Sequence, residues 1–392
     1  MSEFSAIQAA VLADDVYALT RMNSIKQATT YLKSEHGDIF DFDEKNMLKG
    51  VTGGPGFIKT RTAFGFTLLG KGSLKGQAVI LFRGTQYLAD WLTNLNITAS
   101  RSASGEPVHD GFNQAFKSME SKIREFMSIV AKNNVHTIHC IGHSLGGALA
   151  TLCGDWLASN YKRGTYIYTF GSPRVGLQTF VTACTRNVGA DRIFRAYHKT
   201  DIVPFIPTWP YIHTPNSGRD YYLPSPGIVP MAKYHGMDQY LNSVEGQSWD
   251  LLADLRSASK DDSRTVQWLK SSTPLGLTIT SIEWLNRALI YVLNKITSGA
   301  AWLISSAVSS SFTLMDRLAY MLQRGVDLAE NVSKWVLYLI RKIAQVIGFG
   351  KVVNTIDLTQ SFIRMLLTRL QSRVHQFTHN VLSKVLVDGR AV

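Results

Sequence analysis

The sequence predicts an α/β protein: a mostly parallel sheet flanked by helices, followed by an all-helical C-terminal region. Two patterns carry that expectation. Over the first 245 residues, short apolar runs with the composition of buried strands alternate with helical stretches. Beyond Glu245 the strand pattern stops and helical periodicity takes over. At 392 residues the chain is long for one domain and comfortable for two. The division is expected near residue 255, giving a 1–255 α/β domain and a 256–392 amphipathic helical domain.

Taken in order, the opening MSEFSAIQAAVLADDVYAL reads as an amphipathic helix. It carries Glu3, Asp14 and Asp15 and lacks the basic-then-apolar order of a secretory signal. Strands are expected at 77–83 (QAVILFR), 135–142 (VHTIHCIG), 165–171 (TYIYTFG) and 191–198 (DRIFRAYH), with helices over 111–133 and 144–160. The segment 255–273 is polar and charged, as expected of a boundary. From Pro274 onward three apolar stripes recur at three-and-four spacing: Ile282, Leu285, Leu289, Val292 and Ile296; Val336, Leu339, Ile343 and Val346; Phe362, Leu366, Leu370 and Val374. Twenty uncharged residues separate Lys295 from Asp316, enough to cross ~30 Å of hydrocarbon. Eight of them are Ser or Thr, which makes this a poor membrane span. The run 335–342 (WVLYLIRK) joins an apolar stripe to Arg341 and Lys342, a pattern shared by bundle helices and by helices that lie on membranes.

Composition excludes several classes. A hydrophobic content of 45% with 18% charged residues is that of a packed protein, not a disordered one. The net charge of +12 suits an anionic partner. Cys140, Cys153 and Cys184 show no paired ligand spacing, so neither a disulfide scaffold nor a zinc site is expected. No acidic run has the spacing of a calcium loop. No cofactor and no metal are expected, and synthesis in a reducing cytoplasm is.

The chemistry is concentrated at Gly142-His143-Ser144-Leu145-Gly146, a G-x-S-x-G pentapeptide placed between a predicted strand and a predicted helix. A strand-to-helix turn this sharp presents Ser144 beside a helix N-terminus and leaves room only for glycine around it. Such a serine needs a base and an orienting acid, in the order Ser, Asp, His. Asp201 follows the 191–198 strand and opens DIVPFIP, which places its carboxylate at the same sheet edge as Ser144. Asp191 sits at the opposite end of that strand, and Asp220 lies in a loop far from a clear strand. Two histidines lie downstream of the acid. His213 is close behind it and leads into a short strand; His235 opens a helix-like segment after a loop long enough to fold back. The second is favoured, with His213 as the alternative. His109, His136, His139, His143 and His198 precede the acid and are expected to be structural.

Thr85 follows the strand AVILFRG, where its N–H and hydroxyl would meet a developing oxyanion. Just beyond it Tyr87, Leu88, Trp91 and Leu92 fall on one side of a short helix, either a movable apolar cover or an ordinary buried face.

The ordered motifs LFRGT, DWLTNL, VHDGF, GHSLGG, FGSPRVG and DIVPFIP resemble those of the class 3 lipases, the fungal-lipase-like branch of the α/β-hydrolases. The resemblance covers the chain to about residue 245. It implies an α/β-hydrolase fold and a Ser144–His235–Asp201 triad, and it supports His235 over His213. It also implies an oxyanion hole from Thr85 and the backbone N–H of Leu145, and a lid at Tyr87, Leu88, Trp91 and Leu92.

An apolar cover and a basic surface together point to hydrolysis of acyl esters in membrane glycerophospholipids, with triacylglycerol as the alternative. A second alternative makes the helical part a membrane-inserting or protein-binding module beside a degenerate hydrolase. The appended helices and absent leader resemble bacterial lipase effectors of type VI secretion. That resemblance implies export by a leaderless route to a target periplasm or membrane. It also implies an immunity protein and a secretion-apparatus carrier as partners, and no nucleic acid.

Overall fold

The computed structural model describes residues 3–52, 60–85, 98–161, 163–216, 219, 221–227, 230–254, 262–272, 276–296, 314–328, 330–350, 353–354 and 357–387. The nine strands among them are β1 (Met47–Thr52), β2 (Thr60–Leu69), β3 (Gln77–Phe82), β4 (Ala99–Arg101), β5 (Pro107–His109), β6 (Thr137–His143), β7 (Gly164–Phe170), β8 (Ile193–His198) and β9 (Tyr221–Leu223). Seven form one sheet in the order β1-β2-β3-β6-β7-β8-β9, while β4 and β5 make a separate ribbon. The β1–β2 and β2–β3 pairs are antiparallel, and every pair from β3 to β9 is parallel. This is the expected mostly parallel sheet of an α/β fold, with an antiparallel edge. The four anticipated strands lie within two residues of their expected bounds. β1 and β2 are interrupted by Gly50 and Gly65 and by polar residues, so their periodicity is weak in the sequence.

Alternation along β3 shows how the sheet is buried on both sides. Ala78, Ile80 and Phe82 enter a core under the Asp110–Lys132 and Leu145–Asn160 helices, with Ile138, Cys140, Leu149 and Trp156. Val79 and Leu81 enter the opposite core, with Ile141, Tyr168 and Phe170, beneath the Ala6–Asp15 and Met237–Val244 helices. Two buried faces explain why β6 reads as a continuous apolar run. Ser5 caps the first helix and takes part in a capping box with Gln8. The three cysteines are free and buried.

Helices Asp262–Lys270, Ile279–Ile296, Leu314–Leu328, Glu330–Val346 and Gln360–Val387 make up the C-terminal part. The three predicted stripes fall on the second, fourth and fifth of these, and all but Ile282 and Val374 meet in one cluster with Leu318 and Leu322. The 335–342 run packs within this bundle, since Val336, Leu339 and Ile340 are fully buried. Lys342 is buried too, and its Nζ donates to the Ser271 carbonyl (2.6 Å) and hydroxyl (2.9 Å). The expected division near residue 255 falls in 255–261, outside the described residues. The bundle packs against the α/β part. Ile279, Ile282, Val374 and Leu382 share a cluster with Tyr197, Ile202, Val203, Phe205 and Ile206, and the Trp209 N–H donates to Asn286 Oδ1 at 3.0 Å. Most of the uncharged 296–315 stretch lies outside the described residues. Among the described residues no helix is long and apolar enough to cross a membrane.

Candidate active site

Three strands of the parallel sheet deliver their chemistry at one edge, because parallel strands all end there. β6 ends at His143, and Ser144 then turns the chain into the Leu145–Asn160 helix at φ 57° and ψ −129°, a region a non-glycine residue rarely adopts. The turn is tight: a Cβ on Gly142 would overlap the Gly146 carbonyl, and one on Gly146 the carbonyl of Phe82. Ser144 is held from its own backbone as well, its N–H donating to Phe170 O at 3.0 Å.

β8 ends at His198, and Asp201 lies just past it, wholly buried. Its Oδ1 accepts the Val203 N–H at 2.9 Å, a bond within its own turn. Its Oδ2 accepts from His235 Nδ1 at 2.9 Å, which leaves His235 Nε2 to accept the Ser144 hydroxyl at 3.0 Å. Ser144, His235 and Asp201 are therefore joined in one hydrogen-bonded line, and all three are buried. The alternative base stands elsewhere: His213 Nε2 accepts from Arg174 Nε at 3.5 Å, and burial followed by Arg195 and Arg174 holds it well below the usual histidine range. Asp191 sits in a turn before β8, at its far end. Asp220 lies outside the described residues.

The oxyanion candidates lie on the two turns beside Ser144. β3 ends at Phe82, and Arg83 ties the next turn down through Ala63 O and Gly84 O, both at 2.6 Å. A Cβ on Gly84 would come within 2.9 Å of the Ser144 Cβ, so this turn lies against the nucleophile, and buried Thr85 follows it. Leu145, wholly buried, opens the helix after Ser144, where a backbone N–H has no intrahelical acceptor. The lid candidates Tyr87, Leu88, Trp91 and Leu92 lie outside the described residues.

Two tyrosines that spacing does not reveal complete the site. The Tyr240 hydroxyl donates to Asp201 Oδ2 at 2.7 Å and accepts the His198 N–H at 3.3 Å. Burial and then the Asp201 charge raise its pKa well above the usual value, so it stays a donor. Gly171 has a φ of 58°, and a Cβ there would crowd Asp201 Oδ2, Tyr240 OH and His235 Nδ1 together. Tyr17 OH accepts the Gly84 N–H at 3.0 Å and bonds His143 Nδ1 at 2.7 Å. His143 Nε2 donates in turn to the His235 carbonyl at 2.7 Å, and His198 Nδ1 to that of Tyr234 at 2.8 Å. Two histidines expected to be structural thus pin the turn that carries the base. Burial, then the neighbouring His235, keeps His143 well below its usual pKa; burial likewise lowers His198.

This arrangement can activate a hydroxyl nucleophile and receive negative charge on an attached oxygen. Among the described residues no group of three His, Cys, Asp or Glu side chains is placed to hold a metal ion.

Residues 79–211 match the lipase (class 3) family, as the motifs led us to expect. The chain is 31% identical over 171 residues to secreted mono- and diacylglycerol lipase 1 of Fusarium solani, covering 42% of this chain and 49% of that protein. It is 28% identical over 225 residues to phospholipase A1-II 1 of Oryza sativa, covering 49% and 54%. The chain thus spans about half the length of the curated relatives it matches. Among solved structures, the Rhizomucor miehei lipase propeptide complex aligns with a TM-score of 0.42 at 20% identity, over 56% of this chain and 66% of that one.

Proposed function

We propose that this chain, whose residues 79–211 are a class 3 lipase domain, is a serine carboxylic ester hydrolase acting on membrane glycerophospholipids. The observation that carries the reading is the buried line from Ser144 Oγ through His235 to Asp201, at 3.0 and 2.9 Å. Ser144 Oγ attacks the ester carbonyl while His235 Nε2 takes its proton, forming a tetrahedral oxyanion. Thr85 and the Leu145 N–H stabilise that charge. His235 then protonates the departing alkoxide, leaving an acyl-Ser144, and water activated by the same imidazole releases the fatty acid. Asp201 holds the imidazole in the right tautomer and balances its positive charge. An ordered triad weighs against a degenerate hydrolase.

Phospholipid is favoured over neutral glyceride by the +12 charge, which gathers the protein at acidic headgroups. The relatives span both classes, a mono- and diacylglycerol lipase and a phospholipase A1. The test is the product profile from mixed vesicles and emulsified glyceride, run beside Ser144→Ala. Lysophospholipid with free fatty acid supports the reading. Glyceride products alone would move the substrate to neutral lipid, and no product from either would reject the activity. Delivery to a target membrane by a carrier, with an immunity protein that silences the enzyme in its producer, belongs to the same proposal and rests on resemblance alone.

A further inference from the structure

The positive charge of this protein is unevenly distributed. Residues 256–392 hold 17 Lys and Arg against 8 Asp and Glu, so +9 of the net +12 lies in the C-terminal third. Within it the Gln360–Val387 helix contains no acidic residue over 28 positions. Five surface cations outside this region are paired with neighbouring carboxylates: Arg21 with Asp14, Lys45 with Asp43, Lys122 with Glu125, Arg124 with Glu120 and Arg219 with Asp250. On the C-terminal helix Arg364 is bridged to Asp316 at 2.7 Å. Arg369 and Arg373, one turn apart and both exposed, form no ion pair with any described residue. Arg369 lies over the Phe349 ring, which steadies its position.

The placement of this helix matters as much as its charge. Its inner face buries Val374 and Leu382 against Ile202, Val203 and Phe205, the loop that carries Asp201, and it packs on the Ala232–His235 turn that carries the base. The helix that carries Arg369 and Arg373 is therefore packed against the sheet edge where the triad is assembled.

We propose that the Arg369–Arg373 face of the Gln360–Val387 helix docks the protein on anionic phospholipid headgroups and so sets the triad's edge of the sheet against the bilayer. This rests on the lipid-hydrolase reading and adds to it the surface that meets the substrate. Phosphate charge at a bilayer surface complements two unneutralised guanidiniums, each able to bond phosphate bidentately. No apolar side chain on this face is needed, so binding is peripheral and salt-sensitive.

The experiment uses the full chain carrying Ser144→Ala, so that vesicles stay intact, and measures co-sedimentation with phosphatidylcholine vesicles with and without phosphatidylglycerol. Binding to the anionic vesicles is expected, with little to the neutral ones. Arg369→Gln with Arg373→Gln should weaken it about thirtyfold. Arg369→Lys with Arg373→Lys should recover most of the loss, because charge returns without the original side chains. A melting curve for each variant confirms its fold. Equal binding to both vesicle types, or anionic binding untouched by the two Gln substitutions, overturns the proposal. Capture by polyglutamate with no vesicle binding overturns it in favour of an acidic protein. Because binding is read in an inactive background, the proposal can fail while the wild-type chain still hydrolyses lipid, and the reverse.

Discussion

Tyr240 and His235 donate to the same oxygen, Asp201 Oδ2, at 2.7 and 2.9 Å. One carboxylate oxygen thus balances the developing imidazolium while a neutral phenol draws on the same lone pairs. Removing the phenol hydroxyl leaves the carboxylate a stronger base and a stronger partner for the charged imidazole. Tyr240→Phe should therefore move the acid limb of the kcat/KM profile to higher pH and lower kcat by up to about tenfold. The pH–rate profile on a soluble short-chain ester checks this. An unmoved limb with activity falling only in step with the folded fraction would reduce Tyr240 to packing.

Ser144→Ala should lower turnover by at least about a thousandfold, since the covalent step is lost and only oxyanion binding remains. Its melting temperature should hold or rise. Alanine keeps the strained backbone while giving up only one hydroxyl bond, so stability and activity separate. Residual turnover within about tenfold of wild type would remove Ser144 from the chemistry.

Thr85→Val should cost about a hundredfold in kcat with KM little changed, the pattern of a donor that acts chiefly on the transition state. Thr85→Ser should restore most of the loss. Losses confined to KM would show that Thr85 contacts the ground-state ester instead.

Burial pushes the His109 and His139 imidazoles down to about 3. An unfolded histidine titrates near 6.5, so below that pH the unfolded chain binds protons that the folded chain refuses. The stability is present in full above about 6.5 and is lost as pH falls toward 3, at up to about 1.4 kcal/mol per pH unit for each residue. Urea midpoints should fall between pH 7 and pH 5, and His139→Gln should flatten that slope. An identical slope in the variant would place the acid sensitivity elsewhere.

Ending the chain near residue 255 should yield an insoluble fragment, because Tyr197, Ile202, Val203 and Phe205 would lose their cover of Ile279, Ile282, Val374 and Leu382. In the full chain Ile282→Ala should cost about 2–5 kcal/mol, read as a lowered urea midpoint. A soluble, active 1–255 fragment would show that the bundle is dispensable to the fold.

Much of this site is legible along the chain because its chemistry is local. The elbow needs small residues around Ser144, and that demand writes a pentapeptide; the acid follows a strand that announces itself by apolar run and proline-marked end. The parallel core strands and the three amphipathic stripes are legible for the same reason, since a period of two or of three and four repeats within a few residues. The bonds that hold the site are not local. Tyr17 meets His143 across 126 residues, and no spacing rule links a tyrosine in the turn after the first helix to an elbow histidine. Tyr240 reaches Asp201 only because the Met237–Val244 helix docks over β8. The C-terminal stripes declare that they must be buried but not where. Apolar periodicity is satisfied equally by a neighbouring helix, a membrane or the acid loop, and only packing in three dimensions chose the bundle and that loop together.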